Sequence, residues 1–229
     1  MFLENLMIRE QGLFVLMGSK PITLFCMGPE GNGDAEWIAD TKRIWPEYQK
    51  TMREYMGPVF SIIKARIYKT GEYGYFINAL NTAAILKTYY RDFVQVVGKE
   101  FDPFVMVKEL CEDKESPFWD TVFSNHYLNG LLLGYGPHNS AGFLWAHENN
   151  ITFPIYFIME ENMGGEFPEA YCKEHVSIKD LTIPTLRNYG IGDEVLEKYK
   201  REKVAILKEF KGKDFTETVK KWLSRGSTK

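Results

Sequence analysis

The chain is poor in cysteine. Cys26, Cys111 and Cys172 are the only three in 229 residues, and no two stand at CxxC spacing. Three scattered thiols exclude a disulfide framework and read as buried side chains in a reducing compartment. Long apolar runs are lacking too. Glu4, Arg9 and Glu10 interrupt the N-terminal apolar stretch, which also has no basic flank, so it does not read as a leader peptide. No run reaches the length of a membrane span. The default compartment is the cytoplasm, and export stays compatible with a leader removed ahead of this N-terminus. Charge of one sign is equally scarce. The formal net charge is −3, from Lys+Arg 28 against Asp+Glu 31. No basic stripe tracks a phosphate backbone, which argues against a nucleic-acid partner. Even the lysine-rich region Lys198–Lys221 is interleaved with Glu197, Glu202, Glu209, Asp214 and Glu217, the pattern of a solvated helix face.

Catalytic signatures are missing as well. There is no GxSxG elbow. Gly28–Gly33 lies between an apolar run and a helical pattern, where phosphate loops sit. It matches neither GxxxxGK[ST] nor GxGxxG, and Glu30, Asp34 and Glu36 would repel a phosphate. His147-Glu148-Asn149-Asn150 stops short of HExxH, because Ile151 stands where the second histidine would. His126, His138, His147 and His175 have no ligand spacing; His126 could approach His138 and His147 only across the hairpin, so a zinc site stays open in space while no metal and no cofactor is assigned. They read as a core or helix-end His126, a first-turn His138 and a surface His147.

What the chain does have is aromatic side chains, 15% of the residues, with 13 Tyr, 16 Phe and 5 Trp. Aromatics fill cores, and Tyr and Trp also line binding sites. A chain of this length buries roughly 70% of its unfolded surface on folding and needs neither disulfide nor metal. No repeat, low-complexity tract or linker divides it, so residues 1–229 read as a single α+β domain: a small antiparallel or mixed sheet packed against several helices.

Its organising stretch is 117–148, a tight helical hairpin. Ser116 is placed to cap the first arm and Pro117 fits its first turn. Trp119, Val122, Phe123, His126, Tyr127, Gly130 and Leu131 recur at helical steps up to the turn Gly134-Tyr135-Gly136-Pro137. Glycine inside a helix costs about 1 kcal/mol against alanine, so Gly130 signals close approach to a neighbour. Ser140, Ala141 and Gly142 offer the matching smooth surface on the second arm.

Around that hairpin, Phe2–Ile8 reads as a short helix or extended arm. Gly12–Met17 and Ile22–Met27 read as a β-hairpin or two adjacent strands. Asp34 would cap a helix over 35–45, and Pro46 restarts a helical pattern over 48–56. Val59–Tyr68 and Tyr75–Ile77 read as strands around a turn at Gly71–Gly74. Asn78 or Asn81 caps a helix to Val97 with Leu80, Ala84, Tyr89, Phe93 and Val96 inward, and Gly98 ends it. Asp102-Pro103 opens a helix to Cys111. Ile151–Met159 is an edge or bulged strand because of Pro154. Glu160–Glu174 is a long loop, and Val176–Ile183 a weak strand. Asp193 and Asp214 cap two C-terminal helices, 194–210 and 215–223.

The apolar run leading into Gly18-Ser-Lys-Pro21, the hinge Leu131-Leu-Leu-Gly-Tyr-Gly136 and the ending Phe210-Lys-Gly-Lys-Asp-Phe215 resemble a family of hypothetical proteins from chlamydia-type intracellular bacteria. The likeness spans most of the chain and implies no activity.

Two regions offer polar groups for a site. Tyr135, His138, Asn139 and Ser140 bring phenol, imidazole, amide and hydroxyl into one short helical start, where free N–H groups suit an anion. Glu166, Phe167 and Tyr171 lie on the acidic, aromatic loop, whose length suits a binding lip. Catalytic residues are not assigned. The expected function is a non-catalytic binding or interaction domain for an unidentified protein or small molecule, with a homo-oligomer left open. The alternative is a small-molecule hydrolase or metal-assisted enzyme using the 135–140 corner and nearby carboxylates.

Overall fold

The computed structural model describes residues 2–26, 50, 52, 54–65, 73–148, 176–184 and 193–225. Its centre is a three-stranded antiparallel sheet, β1 (Ile22–Cys26), β2 (Phe60–Ala65) and β3 (Tyr73–Asn78), in the order β1-β3-β2. Ile22 pairs with Ile77 and Ile62 with Phe76. Side chains alternate across a strand. One face carries Phe25, Phe60, Ile62 and Phe76, and the other Ile22, Ile63, Tyr75 and Ile77. Both faces are buried, so the sheet is the middle of three layers in an α+β fold.

The layer on the Tyr75 face comes from one stretch of chain. It comprises α3 (Ala79–Thr88), α4 (Tyr90–Val97), α5 (Pro103–Cys111), α6 (Pro117–Ser124), α7 (His126–Leu132) and α8 (Gly136–Glu148). Asn78 caps α3 by accepting from Asn81 N at 3.0 Å, and Asp102 caps α5 by accepting from Phe104 N and Val105 N. Leu86, Phe93, Phe118, Val122 and Leu128 fill the space above the sheet. Tyr75 stacks on Phe123 at 4.7 Å.

The layer on the Phe76 face comes mainly from the two ends of the chain, joined by Met52, Met56 and Val59 from the segment ahead of β2. It holds α1 (Phe2–Glu4) with a π-helical turn to Arg9, α2 (Gly12–Leu16), a 3-10 turn (Ile178–Asp180), α9 (Glu194–Phe210) and α10 (Phe215–Leu223). Leu13, Phe14, Leu196, Tyr199, Ile206 and Val219 form its core. Asp193 and Asp214 cap α9 and α10 as their spacing implies.

Five expectations are corrected. Gly12–Met17 is not a strand: it forms helix α2, with all five of its residues buried. An apolar run buried on every side has no period that separates strand from helix. Val176–Ile183 is not a strand either. Asp180 accepts from Ser177 N at 2.8 Å and from Ser177 Oγ, and this local capping folds the segment into a turn. The first hairpin arm breaks at Asn125, whose extended backbone and side-chain bond from Leu128 N start a fresh helix. Ser116 makes no side-chain cap; its hydroxyl donates to Glu109 Oε2 at 3.0 Å. The helix from Asn78 breaks at Tyr89, and Leu80, Ala84 and Val96 face outward while Thr82, Ala83 and Leu86 are buried.

Residues 50, 52, 54 and 55 are helical and Met56 N donates to Met52 O at 2.8 Å, in line with the helix expected over 48–56. The expected helix at 35–45, the glycine loop 28–33 and the strand 151–159 lie outside the described residues. No helix among the described residues is long and apolar enough to cross a membrane.

Candidate functional site

The site grows from the turn that ends α7. Gly134 sits at φ +79°, and its N–H donates to Leu131 O at 3.0 Å while Tyr135 N donates to Gly130 O. That pair of bonds is a Schellman ending, which needs a left-handed residue at this position. A side chain at Gly134 would also strike the Tyr199 hydroxyl.

Two side chains from elsewhere, Tyr199 and Lys20, and a link from Asn139 to Asp193 hold this corner. Tyr199 Oη, from α9, donates to Gly134 O at 2.8 Å. Lys20 Nζ donates to Leu133 O at 2.6 Å and lies 5.3 Å from the Tyr135 ring centre. Asn139 Nδ2 donates to Tyr135 O at 3.0 Å and to the carboxylate of Asp193. Asp193 in turn caps α9 through Val195 N and Leu196 N. The amide of Asn139 therefore links the start of α8 to the start of α9.

Lys20 is the unusual member. It is 2% exposed, and no carboxylate pairs with it among the described residues. Burial pushes its ammonium pKa down to about 7 from 10.5. Sequence reading missed it because Gly18-Ser-Lys-Pro21 looks like surface punctuation. The only available signal was its place between two apolar runs. At the end of the N-terminal π-helical turn, burial pushes the Glu10 carboxyl up to about 7, against the downward pull of Arg9.

Beside the corner opens a cleft of about 670 Å³. One wall is apolar, made by Pro21, Ile85, Leu131 and Pro137, with Tyr89 at its side. The lining also includes the first two turns of α9, carrying Glu194, Glu197, Lys198 and Arg201. Glu197 is paired with Lys200 at 2.7 Å. The cleft lies at the seam between the two helical layers, with walls from both.

The residues expected at the 135–140 corner take separate positions. Asn139 and Ser140 are buried, at 3% and 0% exposure. Ser140 Oγ donates to Gly136 O at 2.6 Å, so its hydroxyl serves the helix start. His138 is exposed, and Tyr135 is half-buried against Lys20. Glu166, Phe167, Tyr171 and His175 lie outside the described residues. Cys111 is a half-buried free thiol, pushed up to about 11 by burial and by Glu112. Among the described residues no group of three or more His, Cys, Asp or Glu is placed to hold a metal ion.

No family model, curated protein or solved structure matches the chain. The resemblance to the chlamydia-type family thus rests on its quoted motifs alone.

Proposed function

We propose that the protein is a non-catalytic binding domain whose ligand occupies the seam cleft beside Gly134. The observation that carries this reading is the mixed lining: apolar Pro21, Ile85, Leu131 and Pro137 together with charged Glu194, Glu197, Lys198 and Arg201, of which Glu197 is already paired with Lys200. Such a site takes a small molecule with an apolar body and an anionic head. Pockets of this size bury most of a ligand of a few hundred daltons, and a few placed polar groups fix its orientation. Arginine presents a planar fork that suits a carboxylate or phosphate head. The hydroxyl of Ser140 and the amide of Asn139 are committed to backbone and to Asp193, which supports binding over hydrolysis at this corner.

The test is an amide NMR titration against aryl and alkyl carboxylate fragments. Perturbed resonances should cluster at Ser19, Gly134, Gly136, Val195 and Arg201, and Arg201→Ala should weaken binding about tenfold. Perturbations centred elsewhere, or equal binding by Arg201→Ala, would refute the assignment.

A further inference from the structure

At the far end of the α7–α8 hairpin the two arms bring His126 and His147 together. Their ring centres are 4.1 Å apart, with the planes at 60°. Sequence spacing could not show this, because His126 opens α7 and His147 lies in the last turn of α8. The close contact of Gly130 with Ser140 sets the geometry. A Cβ on Gly130 would come within 2.9 Å of Ser140 Cβ, so the arms meet almost backbone to side chain. One turn back from Gly130 and two turns on from Ser140, the arms are still near enough for two imidazoles to touch. Phe143 packs beside both rings, 5.5 Å from His126 and 6.4 Å from His147.

We propose that His126 and His147 form a two-histidine site for a borderline divalent transition cation, zinc or nickel. The proposal is independent of the cleft. Two imidazoles bound to one zinc at Zn–N of about 2.0–2.1 Å have ring centres roughly 5 Å apart, so the observed pair needs only a small opening by side-chain rotation. Imidazole is the borderline donor that such ions select over hard oxygen ligands. The incomplete HExxH at His147 thus gains its second histidine across the hairpin, not four residues along. No hydrogen bond holds either ring among the described residues. No third His, Cys, Asp or Glu joins the pair among the described residues. Water or an added ligand fills the remaining positions, which makes the site open and exchangeable.

The test uses the full chain without a histidine tag, at pH 7.5. Zinc chloride, then nickel chloride, is titrated by calorimetry. One ion should bind per chain with micromolar affinity. His126→Ala and His147→Ala should each weaken binding at least about tenfold, while His138→Ala leaves it unchanged. Nickel should also broaden the ring proton signals of His126 and His147 before those of His138. Absence of binding up to millimolar metal overturns the proposal. So does binding that survives both single substitutions, or broadening that begins at His138.

Discussion

One face of the sheet, carrying Ile22, Ile63, Tyr75 and Ile77, is covered by helices from one unbroken stretch, residues 79–132. The other face, carrying Phe25, Phe60, Ile62 and Phe76, is covered mainly by segments from both ends of the chain, with Met52 and Met56 from between β1 and β2. The same sheet thus supports two layers of opposite origin. Contacts in the first are mostly local. Those in the second join residues nearly two hundred positions apart, such as Phe14 and Tyr199 at 5.5 Å. Closing long loops costs entropy before any contact offsets it. The contiguous layer should therefore organise first, and the end-derived layer should dock onto the sheet afterwards. The cleft and the Lys20 corner belong to that docking seam.

The largest expected effects come from emptying each core. Phe14→Ala and Phe93→Ala, both fully buried, should each cost about 3–5 kcal/mol in urea unfolding. Their kinetics should differ. Phe93→Ala should mainly slow folding, and Phe14→Ala should mainly speed unfolding. Equal partition in the two variants would erase the distinction between the layers.

The pH dependence comes next, and it belongs to the end-derived region. Lys20 has a folded pKa of about 7 against 10.5 unfolded. Between those values the unfolded chain binds the extra proton, so stability rises as pH climbs from 7 to 10.5. Glu10 has a folded pKa of about 7 against 4.5. There the folded chain binds the extra proton, so stability falls as pH climbs from 4.5 to 7. The two together predict a minimum near neutrality in melting temperature against pH. Lys20→Met should flatten the alkaline limb alone, and Glu10→Gln the acidic limb alone. A profile that keeps both limbs in both variants would assign them to other groups.

Gly130→Val tests the contiguous layer at its tightest point. Overpacking against Ser140 should cost about 1–3 kcal/mol, measured by thermal melting, and an unchanged melt would mean the arms stand further apart. The smallest effects come from caps. Asn125→Ala in one layer and Asp214→Ala in the other should each cost about 1 kcal/mol, and a large disparity between them would show that one layer frays freely.

The comparison also explains what could be read from the chain. Caps at Asn78, Asp102, Asp193 and Asp214, the strand at Phe60–Ala65 and the close approach at Gly130 were legible because each depends on a few neighbouring residues. The Gly12–Leu16 helix was not, since burial on every side removes the period that would identify it. Asn125 was overlooked as a break because the apolar spacing of the two arms runs nearly in phase across it. Beside the proposed cleft, the polar segment Tyr135–Ser140 is legible as a run of neighbouring residues, whereas Lys20, Tyr199 and the α9 charges reach it only through long-range contacts. The His126–His147 pair likewise depends on how closely two helices pack, which no spacing within one helix reports.

Pulsed hydrogen-exchange labelling during refolding tests the two-layer account most directly. The account predicts that amides of Leu86, Phe93, Val122 and Leu131 gain protection first, followed together by those of Phe14, Leu196, Tyr199 and Ile206. Earlier protection of the Phe14–Tyr199 group would contradict it.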